Sequence, residues 1–264
     1  MTAFYHPMAW TGQKTKPLLN TALRSLLLLV FAIPATATSK TPAEAASTSE
    51  ARVLLQASTA EYRVEAKGLT TKARRELRPL KDGQWRLDIE TRLLFFRFSE
   101  TSQFRVTDEL VVPLEYSREQ GSRKRNQKLV FDWQAGYANN RIKGYEWQSS
   151  LSQGLLDRFS QQAQLRVDMI TGRLNETREY RVLDKERIKT YAVKQVGKEQ
   201  LTLDDGTTVE TVVLEQSRVD GDRVTRIWLA PKWNYLLIKL HQNDEGEESL
   251  LTLLEARVNG ESLQ

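Results

Sequence analysis

The 264-residue chain contains no cysteine. That absence excludes disulfide staples, thiolate metal ligands, a cysteine nucleophile and lipid attachment to an amino-terminal cysteine. Histidine is almost as scarce, with His6 and His241 alone. Zinc sites usually draw on several His or Cys ligands, so a zinc centre has almost no donors here, and a serine–histidine pair would have to use His241. Long apolar runs are also missing. The longest covers residues 26–33, and eight residues rise about 12 Å as a helix against a hydrocarbon core of ~30 Å. No internal repeat of fixed period is present.

That short run carries the first positive signal. Lys14, Lys16 and Arg24 precede it, and Pro34 breaks it ahead of Ala35, Thr36 and Ala37. A basic segment, a short apolar segment and then small residues form the order of a secretory signal peptide. Residues 1–37 are therefore expected to be removed near Ala37, leaving an exported, periplasmic product without a transmembrane segment. Loss of Lys14, Lys16 and Arg24 lowers the formal charge from +5 to +2. A near-neutral mature chain removes the main support for a nucleic-acid partner. Residues 36–49 are Ala, Thr, Ser and Pro with Lys40 and Glu44, too poor in large apolar groups to repay the entropy of ordering. Residues 38–58 are read as a tether and 59–264 as one domain.

Within the domain, period two dominates. Trp85, Leu87, Ile89, Thr91, Leu93 and Phe95 share one parity, and Arg86, Asp88, Glu90 and Arg92 the other, as in a strand with one face on a core. Tyr62/Val64/Ala66, Phe104/Val106, Leu129/Phe131/Trp133, Tyr180/Val182, Val209/Thr211/Val213, Leu236/Ile238/Leu240 and Leu250/Thr252/Leu254 repeat the alternation. Asp82-Gly83, Asp205-Gly206, Asp220-Gly221 and residues 243–246 punctuate it with turn chemistry. Consecutive hairpins predict an antiparallel sheet. One segment differs: Leu151, Leu155, Leu156, Phe159, Ala163, Val167 and Ile170 fall at helical spacing, with Gln153, Asp157, Arg158, Gln161, Gln164 and Asp168 on the other face and Gly172 placed to end the helix. The expected fold is mainly β: a single curved antiparallel sheet or half-barrel packed on one central amphipathic helix spanning 150–171.

Several of these segments carry a family pattern. Leu155-Leu156-Asp157-Arg158-Phe159-Ser160, Gln164-Leu165-Arg166, Thr190-Tyr191-Ala192-Val193, Trp228-Leu229-Ala230-Pro231 and Tyr235-Leu236-Leu237-Ile238 resemble the bacterial domain of unknown function 3108 family. Val112-Pro113-Leu114-Glu115-Tyr116 and Phe131-Asp132-Trp133 look like its central strands. The resemblance runs from about residue 60 to about 258, and Leu237 stands where the family usually carries a proline. It implies an exported, mainly antiparallel β protein with no established activity, similar in outline to the half-barrel carriers of lipoprotein localisation.

Chemistry-bearing constellations are sparse, and the chain reads as a non-enzyme without cofactor or metal. His241 ends a strand beside a polar turn. Carboxylates are plentiful but nothing singles out a pair for glycan hydrolysis. Phe95 projects to one strand face and Phe96 and Phe98 to the other, so either a second layer covers the outer face or the sheet lines a ligand cavity. Trp133, Trp228, Trp233 and Tyr235 are further candidates for such a wall, with Trp85, Tyr137 and Trp147 as additional aromatic surface. Asp157 and Ser160 lie one turn apart, placed to meet a ligand's polar group or to satisfy backbone groups at the helix entry. Arg123, Lys124 and Arg125 crowd one segment, and Lys72, Arg74, Arg75 and Arg78 another, as contacts for an anion or as a solvated hairpin protecting a sheet edge. Two readings follow: a periplasmic binding protein for a hydrophobic or lipid-like ligand held in the concave face of the sheet, or an envelope assembly protein with a solid core and no small-molecule ligand.

Overall fold

The computed structural model describes residues 54–93, 96–120, 126–142, 144–221, 223–244 and 246–263. The expected signal segment, the tether up to residue 53, Phe95, Arg123, Lys124 and Arg125 lie outside the described residues.

Eight strands run in sequence: β1 (Ser58–Ala66), β2 (Leu69–Pro79), β3 (Gln84–Leu93), β4 (Phe96–Thr107), β5 (Leu110–Gln120), β6 (Gln127–Asp132), β7 (Tyr137–Ile142) and β8 (Tyr145–Ser150). Each pairs antiparallel with the next. After β9 (Leu155–Leu156) and helix α1 (Ser160–Ile170) come β10 (Arg178–Asp184), β11 (Arg187–Thr202), β12 (Thr208–Arg218), β13 (Val224–Ala230), β14 (Leu236–Asp244), β15 (Glu247–Val258) and β16 (Glu261–Ser262). These form a second antiparallel meander from β10 to β16, with β9 parallel to β10. The meanders join at their outer strands, β1 pairing with β15 to give the order β8-β7-β6-β5-β4-β3-β2-β1-β15-β14-β13-β12-β11-β10-β9. The result is one open, curled sheet of 16 strands with one helix among the described residues.

The turn expected at Asp82-Gly83 forms. Asp82 (φ 57) and Gly83 (φ 67) both take the left-handed region between β2 and β3, the geometry whose twist matches an antiparallel hairpin. Register shifts at Glu61/Tyr62, Gln103/Phe104, Gln195/Gly197 and Trp228/Leu229 insert extra residues, and such bulges bend strands and increase twist. The shift opposite Glu61/Tyr62 also revises the expected pattern of β15. Leu253, Ala256 and Val258 are its buried residues, whereas Leu250, Thr252 and Leu254 are half-buried.

The helix is shorter than its pattern suggests. Residues 150–159 are the end of β8, a turn at Gly154 (φ 75), β9 and the helix entry. Leu155 and Leu156 keep their burial by hydrogen bonding beside Arg181 and Val182 of β10; their helical spacing is coincidental. The polar face is buried too, at Ser160, Gln161, Gln164 and Asp168. Gly172 (φ 70) ends the helix as expected, with Arg173 N donating to Asp168 O at 2.8 Å, the bond that satisfies an orphan carbonyl in a glycine-terminated helix. At the amino-terminal end, Leu54 and Leu55, assigned to the tether by position, are buried in the core. An apolar pair there gains about 1.5–3 kcal/mol per side chain by leaving water.

Candidate functional site

A cavity of about 150 Å³ lies between α1 and the strands facing it. That equals roughly five water volumes. Alternation places its walls: Leu77 on β2, Leu87 on β3, Ile227 and Leu229 on β13 and Leu236 and Leu240 on β14 line it, with Ala163 and Leu165 from the helix. Thr225, Ile227 and Leu229 share one face of β13, so that wall runs about 13 Å along the strand. Tyr191, Gln216 and Gln242 line it as well and are half-buried.

The region around Tyr62 is polar, with Tyr62 itself buried and Arg75 and Arg166 half-buried. Ala73, Arg75 and Leu77 share one parity of β2, so Arg75 is carried inward with its apolar neighbours. Arg75 Nη1 donates to Gln162 Oε1 at 2.8 Å, and its guanidinium lies 5.8 Å from the Phe159 ring centroid. Arg166 Nε donates to Asn234 O at 2.5 Å, while its Nη2 is buried with no hydrogen-bond partner among the described residues. Burial lowers the Arg166 pKa to about 10, with the Arg75 charge adding to the effect, and burial also lowers that of Arg75. Tyr62 donates its hydroxyl to Leu237 O at 2.9 Å, and burial pushes its pKa up to about 12. Gln161 Nε2 reaches Gln216 Oε1 at 2.9 Å, linking α1 to β12.

The helix entry is a second polar cluster. Asp157 Oδ1 accepts from Phe159 N (2.8 Å) and Ser160 N (2.9 Å), and Ser160 Oγ accepts from Asp157 N (2.8 Å). This reciprocal arrangement caps the first turn. Asp157 Oδ2 accepts from Ser102 Oγ of β4 at 2.8 Å. Burial raises the Asp157 pKa, opposed by the hydrogen bonds from Ser160, Ser102 and Phe159. At the other end of α1, Asp168 is fully buried between Arg173 (3.0 Å), Arg178 (2.9 Å) and the Tyr180 hydroxyl (2.8 Å).

Of the residues nominated from sequence, Tyr235 lines the cavity and Asp157 and Ser160 meet each other at the helix entry. The others are dispersed. Trp133 donates Nε1 to Pro113 O at 2.7 Å and stacks on Phe131 at 6.2 Å. Trp228 takes the parity opposite to Ile227 and Leu229, donating Nε1 to Glu199 Oε2 at 2.8 Å beneath the Lys239 ammonium. Trp233 is buried in a 3-10 turn, Phe98 is half-buried on β4, and Phe96 opens β4. His241 Nε2 stands 3.6 Å from Glu248 Oε1. Arg166 and Tyr62 were missed as site residues, and Arg75 was grouped with its solvated neighbours. Its parity with Ala73 and Leu77 was the available signal.

Residues 56–246 match the family model described as "Protein of unknown function (DUF3108)". No curated protein matches the chain. Among solved structures, it is similar to a beta-barrel-like protein of domain of unknown function DUF1849 from Brucella abortus, at 10% identity and TM-score 0.54, covering 77% of this chain and 98% of that one. Weaker likeness extends to MucB (11% identity, TM-score 0.35, 80% of this chain and 56% of that one). The MucA/MucB complex of Pseudomonas aeruginosa gives 13% identity and TM-score 0.36, over 80% and 54%. The chain thus spans about half the length of the MucB chains it matches. No helix among the described residues is long and apolar enough to cross a membrane.

Proposed function

The chain belongs to the DUF3108 family, whose members are described as proteins of unknown function, and from that premise we propose that it is a non-enzymatic binding protein holding a hydrophobic or lipid-like ligand between α1 and the sheet. The observation that carries this reading is the cavity walled by Leu77, Leu87, Ile227, Leu229, Leu236 and Leu240. Such a wall rewards an apolar guest at ~25 cal/mol per Å² removed from water. Its volume takes the end or head of an amphiphile, with the remainder leaving past half-buried Tyr191, Gln216 and Gln242. The proposal includes export to the periplasm of a Gram-negative cell, supported by the sequence pattern of residues 14–37.

Native mass spectrometry of the protein recovered from the periplasm tests this directly. A bound small molecule, or binding of a hydrophobic dye that an added amphiphile displaces, is the expected result. A bare chain mass together with no dye binding would sink the reading.

A second reading, docking on an envelope protein, draws on β8. It ends the hydrogen-bonding order of the sheet, and Tyr145 on it is 73% exposed. An unpaired strand edge is a template for an added strand. Co-purification of a protein partner without any small molecule is the outcome that distinguishes it.

A further inference from the structure

Among the described residues, four arginines and no carboxylate line the cavity: Arg75, Arg158, Arg166 and Arg223. Elsewhere arginines are neutralised locally, as in Arg63–Asp204 at 2.7 Å, Arg86–Asp88 at 2.9 Å and Arg178–Asp168 at 2.9 Å. Arg75 and Arg166 are not; their described partners are Gln162, Asn234 O and an aromatic ring. Both are half-buried and line the same cavity, and like charges held partly out of water carry a cost that an opposite charge would offset. Arg166 Nη2 is buried and unpartnered, leaving a donor for a further acceptor. Guanidinium pairs suit oxyanions because planar N–H forks match carboxylate and phosphate oxygens.

We propose that Arg75 and Arg166 in the cavity lining receive the oxyanion head, carboxylate or phosphate, of an amphiphile whose apolar chain lies along Ile227 and Leu229. This rests on the binding function proposed above and specifies the ligand class. Tyr62 is a wall at the head position and not a donor to it, because its hydroxyl hydrogen is already given to Leu237 O.

Isothermal titration of the full chain with octanoate, octanol and inorganic phosphate separates the components. Octanoate is expected to bind at least ten-fold more tightly than octanol, and about four-fold more tightly per methylene than hexanoate. Arg75→Gln and Arg166→Gln, checked for folding by circular dichroism, are expected to abolish the preference for octanoate while retaining octanol binding. Equal affinity for octanoate and octanol, or a preference unchanged in both variants, overturns the oxyanion assignment and leaves the apolar site standing. Phosphate binding as tightly as octanoate keeps the oxyanion assignment and overturns the hydrophobic-ligand reading. No binding of any of the three overturns both. Should a variant fail to fold, the wild-type comparison of octanoate with octanol still decides.

Discussion

Ser102 Oγ donates to Asp157 Oδ2 at 2.8 Å across 55 positions of sequence, both residues fully buried. This bond ties the middle of β4 to the residue that caps α1. It joins a local event, helix initiation, to a tertiary one, the approach of the chain after β9 to the first meander.

Asp157→Ala is expected to destabilise the protein by about 2 kcal/mol, since it removes the acceptor for Phe159 N and Ser160 N. Asp157→Asn keeps a capping oxygen and is expected to cost less than about 0.5 kcal/mol at neutral pH. The pH dependence separates them further. Burial raises the Asp157 pKa in the folded state, so the stability this group contributes is fully present below its unfolded pKa and is lost as pH rises through the folded value. The asparagine variant should therefore gain on wild type as pH rises through that window, read by urea unfolding. A constant difference across the acid range would refute this account of Asp157.

Tyr62 supplies an alkaline counterpart. Its pKa is pushed from 10.0 to about 12 by burial, so the denatured chain releases this proton first and stability falls between about pH 10 and 12. Tyr116 and Tyr180 are raised further, first by burial and then by the carboxylates of Glu100 and Asp168 beside them. Absorbance titration of the tyrosines should show a late fraction that ionises only on unfolding, and Tyr62→Phe should shrink it. Ionisation of all tyrosines in a single step near pH 10 in folded protein would contradict the burial described.

Arg75→Met is expected to raise the melting temperature of the ligand-free protein by a few degrees, because it replaces a half-buried cation that has no acidic partner among the described residues with an apolar chain of similar length. A residue retained for folding alone would show the opposite sign. Calorimetric scans of both proteins, with and without octanoate, make the comparison.

Gly172→Ala is expected to cost about 1 kcal/mol through backbone strain alone. The glycine sits at φ 70 and a Cβ there would meet nothing within 4 Å. Thermal unfolding checks it, and an unchanged midpoint would argue against a glycine-dependent helix end.

Most of the sheet was legible in the chain because period-two patterning and Asp-Gly turns are local signals. Asp82-Gly83 and Asp205-Gly206 each fall between paired strands. The helix start was misjudged because Leu151, Leu155 and Leu156 mimic a helical stripe, and what decides their conformation is a parallel pairing with β10 that lies downstream. The buried glutamines were unreadable for the same reason: Gln164 finds Val111 N on β5 and Glu109 O in the turn before it, and Gln161 finds Gln216 on β12, all distant in sequence. Trp228 was open to a sharper reading, since its parity opposes that of Ile227 and Leu229. Arg75 was recoverable from strand parity, but Arg166 needed the packed molecule, where burial and the absence of an acidic neighbour become visible together.

The pairing of β1 with β15, which sets Ser58 opposite Val258, makes time a variable in how this molecule is made. β1, the first strand among the described residues, waits for nearly the last before one of its borders is closed, and such distant pairing is slow to form and leaves an exposed template meanwhile. A nascent or partly translocated chain is thus sticky until its final segment arrives, and shortening the carboxy terminus by a dozen residues would strip Ser58–Tyr62 of the partners they have in β15.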